Sequence, residues 1–123
     1  MSALSRLTAV HVDCADPIKL AAFYQQATGW QLTDSGEEFA ALDAGAGGPA
    51  LGFVRVPDHR APQWPDGAKR LHLDFAVADL DRAVADLLRL GAVKPAFQPG
   101  AGAWVVLLDP EGHPFCLAPA TTD

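Results

Sequence analysis

The sequence predicts an α+β fold in which one unit, strand–helix–strand–strand–strand, occurs twice. Three observations carry this. Two alternating apolar and polar segments, LTAVHVDC at 7–14 and RLHLDFAV at 70–77, each run into an aspartate placed to cap a helix, Asp16 and Asp79. Each helical segment stops at a glycine, Gly29 or Gly91. Each is then followed by short strand-like runs broken by Gly, Asp and Pro, and the two caps stand about sixty residues apart, the mark of an internal repeat. The chain has 123 residues, and a unit of half that length is marginal by itself. The halves are therefore expected to share one core as a single domain over 1–123, with a first module at about 4–56, a linker at 57–68 and a second module at about 69–119.

In the first strand, period-two alternation sets Ala9, His11 and Asp13 on one face and Val10, Val12 and Cys14 on the other. Cys14 then points toward the helix and belongs to the core. Asp16-Pro17 supplies an N-cap and a first-turn proline. Leu20, Phe23, Tyr24 and Ala27 recur at helical spacing as the buried stripe. Three strands are expected at Trp30–Thr33, Glu38–Asp43 and Pro49–Val56, separated by Asp34-Ser35-Gly36 and by GAGG at 45–48, so they form a meander. GAGG lacks the strand-to-helix setting of a phosphate loop and reads as a hairpin connection.

Pro57 to Ala68 holds three prolines and reads as a loop. After it the pattern restarts. His72, Asp74 and Ala76 share one face, while Leu71, Leu73, Phe75 and Val77 face a helix whose stripe is Leu80, Val84, Leu87 and Leu88. Short strands are expected at about Ala92–Ala96, Ala103–Leu108 and Phe115–Ala118. His113 and Glu111 sit in the last turn and are expected to be solvated, as is His59 in the proline-rich loop.

Composition excludes several function classes. Half the residues are hydrophobic and a fifth are charged, the balance of a soluble globular protein. A net charge of −6 with no basic cluster argues against a nucleic-acid partner. The apolar runs are too short to span a bilayer, and the first residues are not expected to form a signal peptide. Two cysteines do not make a disulfide framework, so both are expected to be thiols in a cytoplasmic protein with a small-molecule partner.

The doubled unit, with ADP and FYQQATGW in the first half and HLDFAVADLDRAV, LGA and DPEGHPFCL in the second, resembles the vicinal oxygen chelate superfamily. That group includes glyoxalases, bleomycin-resistance proteins and extradiol dioxygenases. The resemblance runs from roughly Leu4 to Pro119. It implies two βαβββ modules whose eight strands curl into a half-open cavity, often completed by a second subunit. It leaves function open, because the same fold serves metal enzymes and metal-free binders.

The resemblance also implies where a metal would sit: a His on the first strand, a His on the fifth and a Glu on the last, with a further ligand at times from the fourth. Carried over position by position, His72 fills the fifth-strand place, seven residues before its helix cap. The matching place on the first strand is Ala9, the last-strand place is Cys116, and the fourth-strand place falls near Gly52. No metal is therefore expected. If one is present, its ligands would be His11, His72 and Asp74, since His11 and Asp13 lie on the same strand face as Ala9, with Cys116 as an added soft ligand. A two-residue shift moves a ligand by about 6.6 Å, far for a site of fixed bond lengths.

The remaining candidates point to ligand binding. His11, Asp13, Phe53, Trp64, His72, Asp74, Trp104 and Cys116 are the expected ligand-binding residues, with His72 and Asp74 as acid–base candidates. Trp64 lies between prolines in a loop, the position of a lid or a dimer contact. Aromatic walls over a polar floor suit a small hydrophobic or aromatic molecule. Two readings of function follow: a metal-free binder of the sequestration or antibiotic-resistance type, or a metal-dependent lyase, isomerase or dioxygenase with a non-standard His/Asp site. A homodimer is expected in either case, because strand edges and a cavity mouth otherwise stay open. Sedimentation at micromolar concentration should give a dimer; a monomer contradicts the expectation.

Overall fold

The computed structural model describes residues 3, 4, 6–45, 47–67 and 71–120. The beginning of the expected second module at 69, its strand's first residue Arg70, Ala68 at the linker's end and Ala46 of the GAGG run lie outside them. The fold is α+β, and the chain divides between Arg60 and Ala61, inside the expected linker, into two compact units.

The first unit runs β1 (Ala9–Cys14), α1 (Pro17–Thr28), β2 (Gln31–Ser35), β3 (Phe39–Asp43) and β4 (Ala50–Arg55). Its sheet has the order β1-β4-β3-β2, with β1 parallel to β4 and the rest antiparallel. The Asp16 side chain accepts the Lys19 N–H at 3.2 Å, which satisfies one of the donors at the start of α1. Gly29 closes α1 in the left-handed region at φ 76°, its N–H reaching the Gln25 carbonyl at 2.8 Å. Helix α1 packs on β2, β3 and β4. Leu20, Phe23 and Tyr24 are buried there with Leu42, Phe53 and Cys14. Ala27, expected in this stripe, is exposed, and Ala21 is buried instead.

Strand β2 continues through Asp34 and Ser35, which sequence reading assigned to a turn. A register shift between Leu32 and Asp34 lets Asp34 pair with Ala41 and Ser35 with Ala40. The reversal falls at Gly36, whose N–H reaches the Phe39 carbonyl. Between β3 and β4 the Gly48 N–H bonds the Gly45 carbonyl at 3.0 Å, so that segment is the expected connection.

The second unit runs β5 (Leu73–Val77), α2 (Leu80–Leu90), β6 (Val105–Leu108) and β7 (Pro114–Pro119), with sheet order β5-β7-β6. Strand β5 is parallel to β7, and β6 is antiparallel to it, as β1, β3 and β4 are in the first unit. The Asp79 side chain accepts the Arg82 N–H at 3.1 Å, and Gly91 ends α2 at φ 114°. Helix α2 packs on β7. Leu87, Leu107, Phe115 and Leu117 are buried, and Phe75 meets Phe115 edge to face with centroids 6.1 Å apart. Two expected core residues are exposed. Leu71 is 58% exposed because β5 begins only at Leu73, and Leu88 at 41% flanks the buried Leu87.

The strand expected at Ala92–Ala96 is a single bridge between Val93 and Leu108. Pro95 has no N–H to extend it. The Gln98 side chain takes over along the edge of β6: its amide nitrogen donates to the Pro95 and Val106 carbonyls, and its oxygen accepts the Val106 N–H, all at 2.9 Å. One side chain thus supplies the donor and acceptor that a neighbouring strand would have supplied. At the β6–β7 turn, the buried Asp109 carboxylate accepts the backbone N–H groups of Glu111 and His113 and the His113 Nδ1–H at 2.9–3.0 Å. His113 and Glu111, expected to be solvated, are half-buried because this carboxylate gathers the turn around itself; His59 is half-buried as well.

No helix among the described residues is long and apolar enough to cross a membrane. Because Gln98 satisfies both backbone groups of Val106, Gln98→Ala should lower stability by about 1–3 kcal/mol in denaturant unfolding. A loss below about 0.5 kcal/mol, the ordinary surface value, would show that the edge does not depend on it.

Candidate functional site

Period-two alternation along β5 and β7 creates the site. Leu73, Phe75 and Val77 are half-buried while Asp74 and Ala76 are exposed between them. On β7, Phe115 and Leu117 are buried with the half-buried Cys116 between them, facing the other way. The parallel register pairs Asp74 with Cys116 and Ala76 with Ala118. His72, one residue before β5, lies two residues from Asp74 on the same face, and its Nε2 stands 3.2 Å from Asp74 Oδ1. Trp104 enters from the turn before β6.

His72, Asp74, Trp104, Cys116 and Ala118 line a cleft of about 370 Å³. The floor is polar: the His72 side chain is 36% exposed and Asp74 73%. The Trp104 indole rests on Gly100, where an added Cβ would lie 2.6 Å from Cδ2 and 2.8 Å from Cγ of the ring. Only glycine leaves room for the indole there. Cys116 forms no disulfide and sits in the cleft, whereas Cys14 is wholly buried with Sγ 3.6 Å from the Val54 carbonyl oxygen.

The structure thus brings His72, Asp74, Cys116 and Trp104 together in one cleft. The other expected residues are placed differently. Phe53 is fully buried and stacks on Tyr24 at 5.4 Å between centroids, so it is core rather than cleft wall. Trp64 is half-buried and packs at a tilt against Phe97, 5.6 Å away, outside the cleft lining. His11 and Asp13 belong to the first unit, exposed on the β1 face away from the helix-facing Cys14. The His11 ring covers Gly52, where a Cβ would meet its Cδ2 at 2.7 Å, and it meets Phe39 edge-on at 5.4 Å. Sequence reading missed Ala118 and Gly100. Ala118 was within reach, since it follows Cys116 by two residues on the same face; nothing local marks Gly100 as the seat of an indole.

A wider groove of about 490 Å³ lies in the first unit among Ala15, Asp16, Ile18, Lys19, Glu37, Glu38 and Arg55. Its charges largely compensate one another, with Arg55 3.4 Å from Glu38 and both side chains well exposed. In the smaller cleft an imidazole, a thiol and a carboxylate converge.

Those three groups fit a divalent metal. One donor atom from each of His72, Asp74 and Cys116 lies within 4.8 Å of the other two. Ligand atoms on one tetrahedral ion stand about 3.3–3.6 Å apart for ordinary nitrogen, oxygen and sulfur bond lengths. The His72–Asp74 separation of 3.2 Å is close to that, and the sulfur lies within 4.8 Å of both.

Residues 9–118 match the glyoxalase-like domain family. Among solved structures, the chain is similar to a glyoxalase/bleomycin resistance protein/dioxygenase family enzyme from Burkholderia phytofirmans PsJN, with 24% identity, a TM-score of 0.70 and coverage of 92% of this chain and 97% of that one. It is similar to a possible glyoxalase from Bacillus cereus, with 15% identity, TM-score 0.70 and coverage of 94% and 99%. It is also similar to a fosfomycin resistance protein variant from Listeria monocytogenes, solved with Mn(II) and 1S,2S-dihydroxypropylphosphonic acid, with 17% identity, TM-score 0.69 and coverage of 96% and 92%. At these identities the structural likeness speaks for the fold. No curated protein sequence matches the chain.

The site geometry makes neighbours in sequence unequal in stability. His72→Ala and Asp74→Ala should change unfolding free energy by no more than about 0.5 kcal/mol, since exposed polar groups are replaced by water. Leu117→Ala, one residue from Cys116 on the opposite face, should cost about 2–5 kcal/mol. Equal losses in thermal unfolding for His72→Ala and Leu117→Ala would contradict the face assignment.

Proposed function

The chain belongs to the glyoxalase-like domain family, and from that premise we propose that it binds a small, planar, largely apolar molecule in the cleft of its second unit. The observation that carries this reading is the Trp104 indole standing beside the His72–Asp74–Cys116 floor. An aromatic ring laid on the indole loses apolar surface to it and gains an offset-stacked or edge contact. A hydroxyl or amine on that ring finds an acceptor in Asp74, and a carbonyl finds a donor in His72 or the Cys116 thiol. A volume of about 370 Å³ accommodates a molecule of one or two rings. This is binding of the sequestration or resistance type, in which affinity alone is the function.

Two thiols without a disulfide suit a reducing compartment, so we place the protein in the cytoplasm. We take it to act as a homodimer, on the strand-edge argument from the sequence.

A second reading is a metal-dependent lyase, isomerase or dioxygenase, favoured by the three donors within 4.8 Å of one another. The Listeria protein of similar fold was solved with Mn(II) and a small organic phosphonate. Such a metal, held by His72, Asp74 and Cys116, would supply Lewis-acid polarisation of a substrate oxygen. The chain's own contribution in either reading is the same: Trp104 positions the ring, and His72 with Asp74 can hold a proton beside it.

Titration with 2-naphthol, a planar aromatic probe, in the presence of a chelator separates the readings. Saturable quenching of tryptophan fluorescence is expected, weakened roughly tenfold by Trp104→Ala and unchanged by Trp64→Ala. Equal affinity in Trp104→Ala would remove the cleft from the function, and binding abolished by the chelator alone would favour the metal-dependent reading.

A further inference from the structure

We propose that the second-unit cleft traps electrophilic planar molecules covalently, by addition of the Cys116 sulfur to a ring double bond conjugated with a carbonyl. Quinones and ring enones are the chemical class. The proposal rests on the reading of this cleft as a binding site for planar molecules, and extends it from reversible binding to permanent capture.

Three placements carry it. The first is the thiol. Cys116 is half-buried on β7, turned into the cleft between the buried Phe115 and Leu117, and it forms no disulfide. A cysteine sealed in a core packs as an apolar residue and is inert, whereas a thiol open to a cleft is a strong nucleophile. Cys14 supplies the contrast within the same chain, being wholly buried beneath α1. The second is the wall. Trp104 lines the cleft beside Cys116, with its indole seated on Gly100. The negative face of an indole attracts an electron-poor ring more than an electron-rich one, so the wall that holds the ring also favours electrophiles.

The third is the imidazole. A ring nitrogen of His72, a carboxylate oxygen of Asp74 and the Cys116 sulfur lie within 4.8 Å of one another, and His72 Nε2 stands 3.2 Å from Asp74 Oδ1. When the carboxylate accepts the Nε2–H, the other nitrogen of the neutral imidazole keeps its lone pair for a proton. Nucleophile, proton acceptor and orienting carboxylate thus stand together on one sheet face, where the β5–β7 ladder makes Asp74 and Cys116 direct partners.

The step balances without any further reagent. Sulfur bonds to the ring carbon β to the carbonyl, and the π pair of the double bond moves toward the carbonyl oxygen. That oxygen takes up the proton which the thiol gave to His72. In a quinone the hydrogen on the attacked carbon then leaves as a proton and the second carbonyl oxygen gains one, giving the hydroquinone thioether. Nothing is expelled, and each chain captures one molecule.

The test uses the full chain in oxygen-free buffer with a chelator and equimolar 1,4-naphthoquinone. Intact mass spectrometry should show one added naphthoquinone per chain, and peptide mapping should place it on Cys116. Recognition is read by comparing 1,4-naphthoquinone with acrylamide, an electrophile without a ring. The ratio of their rates should be at least about tenfold higher on the protein than on glutathione, a free thiol with no wall to hold the ring. Trp104→Ala should bring that ratio down toward the glutathione value. His72→Ala, folded by circular dichroism, should slow naphthoquinone addition at least about tenfold. No adduct in the wild type, equal modification of Cys14, or a rate ratio equal to that of glutathione would overturn capture; the last result needs no variant to fold. 2-Naphthol has no electrophilic double bond, so its titration is read separately. Saturable quenching by 2-naphthol without a naphthoquinone adduct would sink capture and leave the binding cleft standing, whereas loss of both would remove the cleft itself.

Discussion

In both units the last strand returns to lie parallel with the first, β4 beside β1 and β7 beside β5. The placement of the candidate site follows from that pairing. The helix of each unit covers one face of its sheet, and a pleat has only two. Leu51 and Phe53 on β4, and Phe115 and Leu117 on β7, take the helix-facing side and are buried. Gly52 and Cys116, the residues between them, are left on the other side. A slip of one residue between β7 and β5 would bury Cys116 and expose Phe115, exchanging core for site. The hydrophobic requirement of the core therefore fixes where the chemistry can be.

The second unit keeps that register with a smaller apparatus than the first. Helix α1 packs on three strands, whereas α2 packs mainly on β7. Polar groups compensate at the periphery. Gln98 completes the edge of β6, and Asp109 holds the β6–β7 turn with three donors and no exposure to water. That turn leads into β7, so Asp109 helps to set the position of Cys116 without touching the cleft. The floor itself carries little structural duty. His72 and Asp74 are exposed, on the face of the sheet away from the core.

Local chemistry was legible in the sequence and non-local pairing was not. The caps Asp16 and Asp79, the stops Gly29 and Gly91 and the alternation around Asp74 all depend on a few adjacent residues, and all appear where the pattern puts them. The strand expected at Ala92–Ala96 failed because a side chain, Gln98, replaced it, and apolar composition does not reveal that substitution. Phe53 was read as a cleft residue because its face depends on its register with β1, where it pairs with the helix-side Val12. Trp64 reads from its proline-rich loop as a lid or a dimer contact, and its ring partner Phe97 lies more than thirty residues later in the chain. The cluster of Asp74 and Cys116 is the same kind of fact: forty-two positions separate them, and only the parallel ladder makes them neighbours.

The central claim is that the ligand site lies on the exposed face of the second-unit sheet, and amide chemical-shift mapping tests it most directly. With 2-naphthol added to isotope-labelled protein, the largest shifts should fall at Asp74, Val105, Val106, Cys116 and Ala118. Shifts concentrated instead around Ala15, Glu38 and Arg55, with Cys116 unmoved, would contradict it.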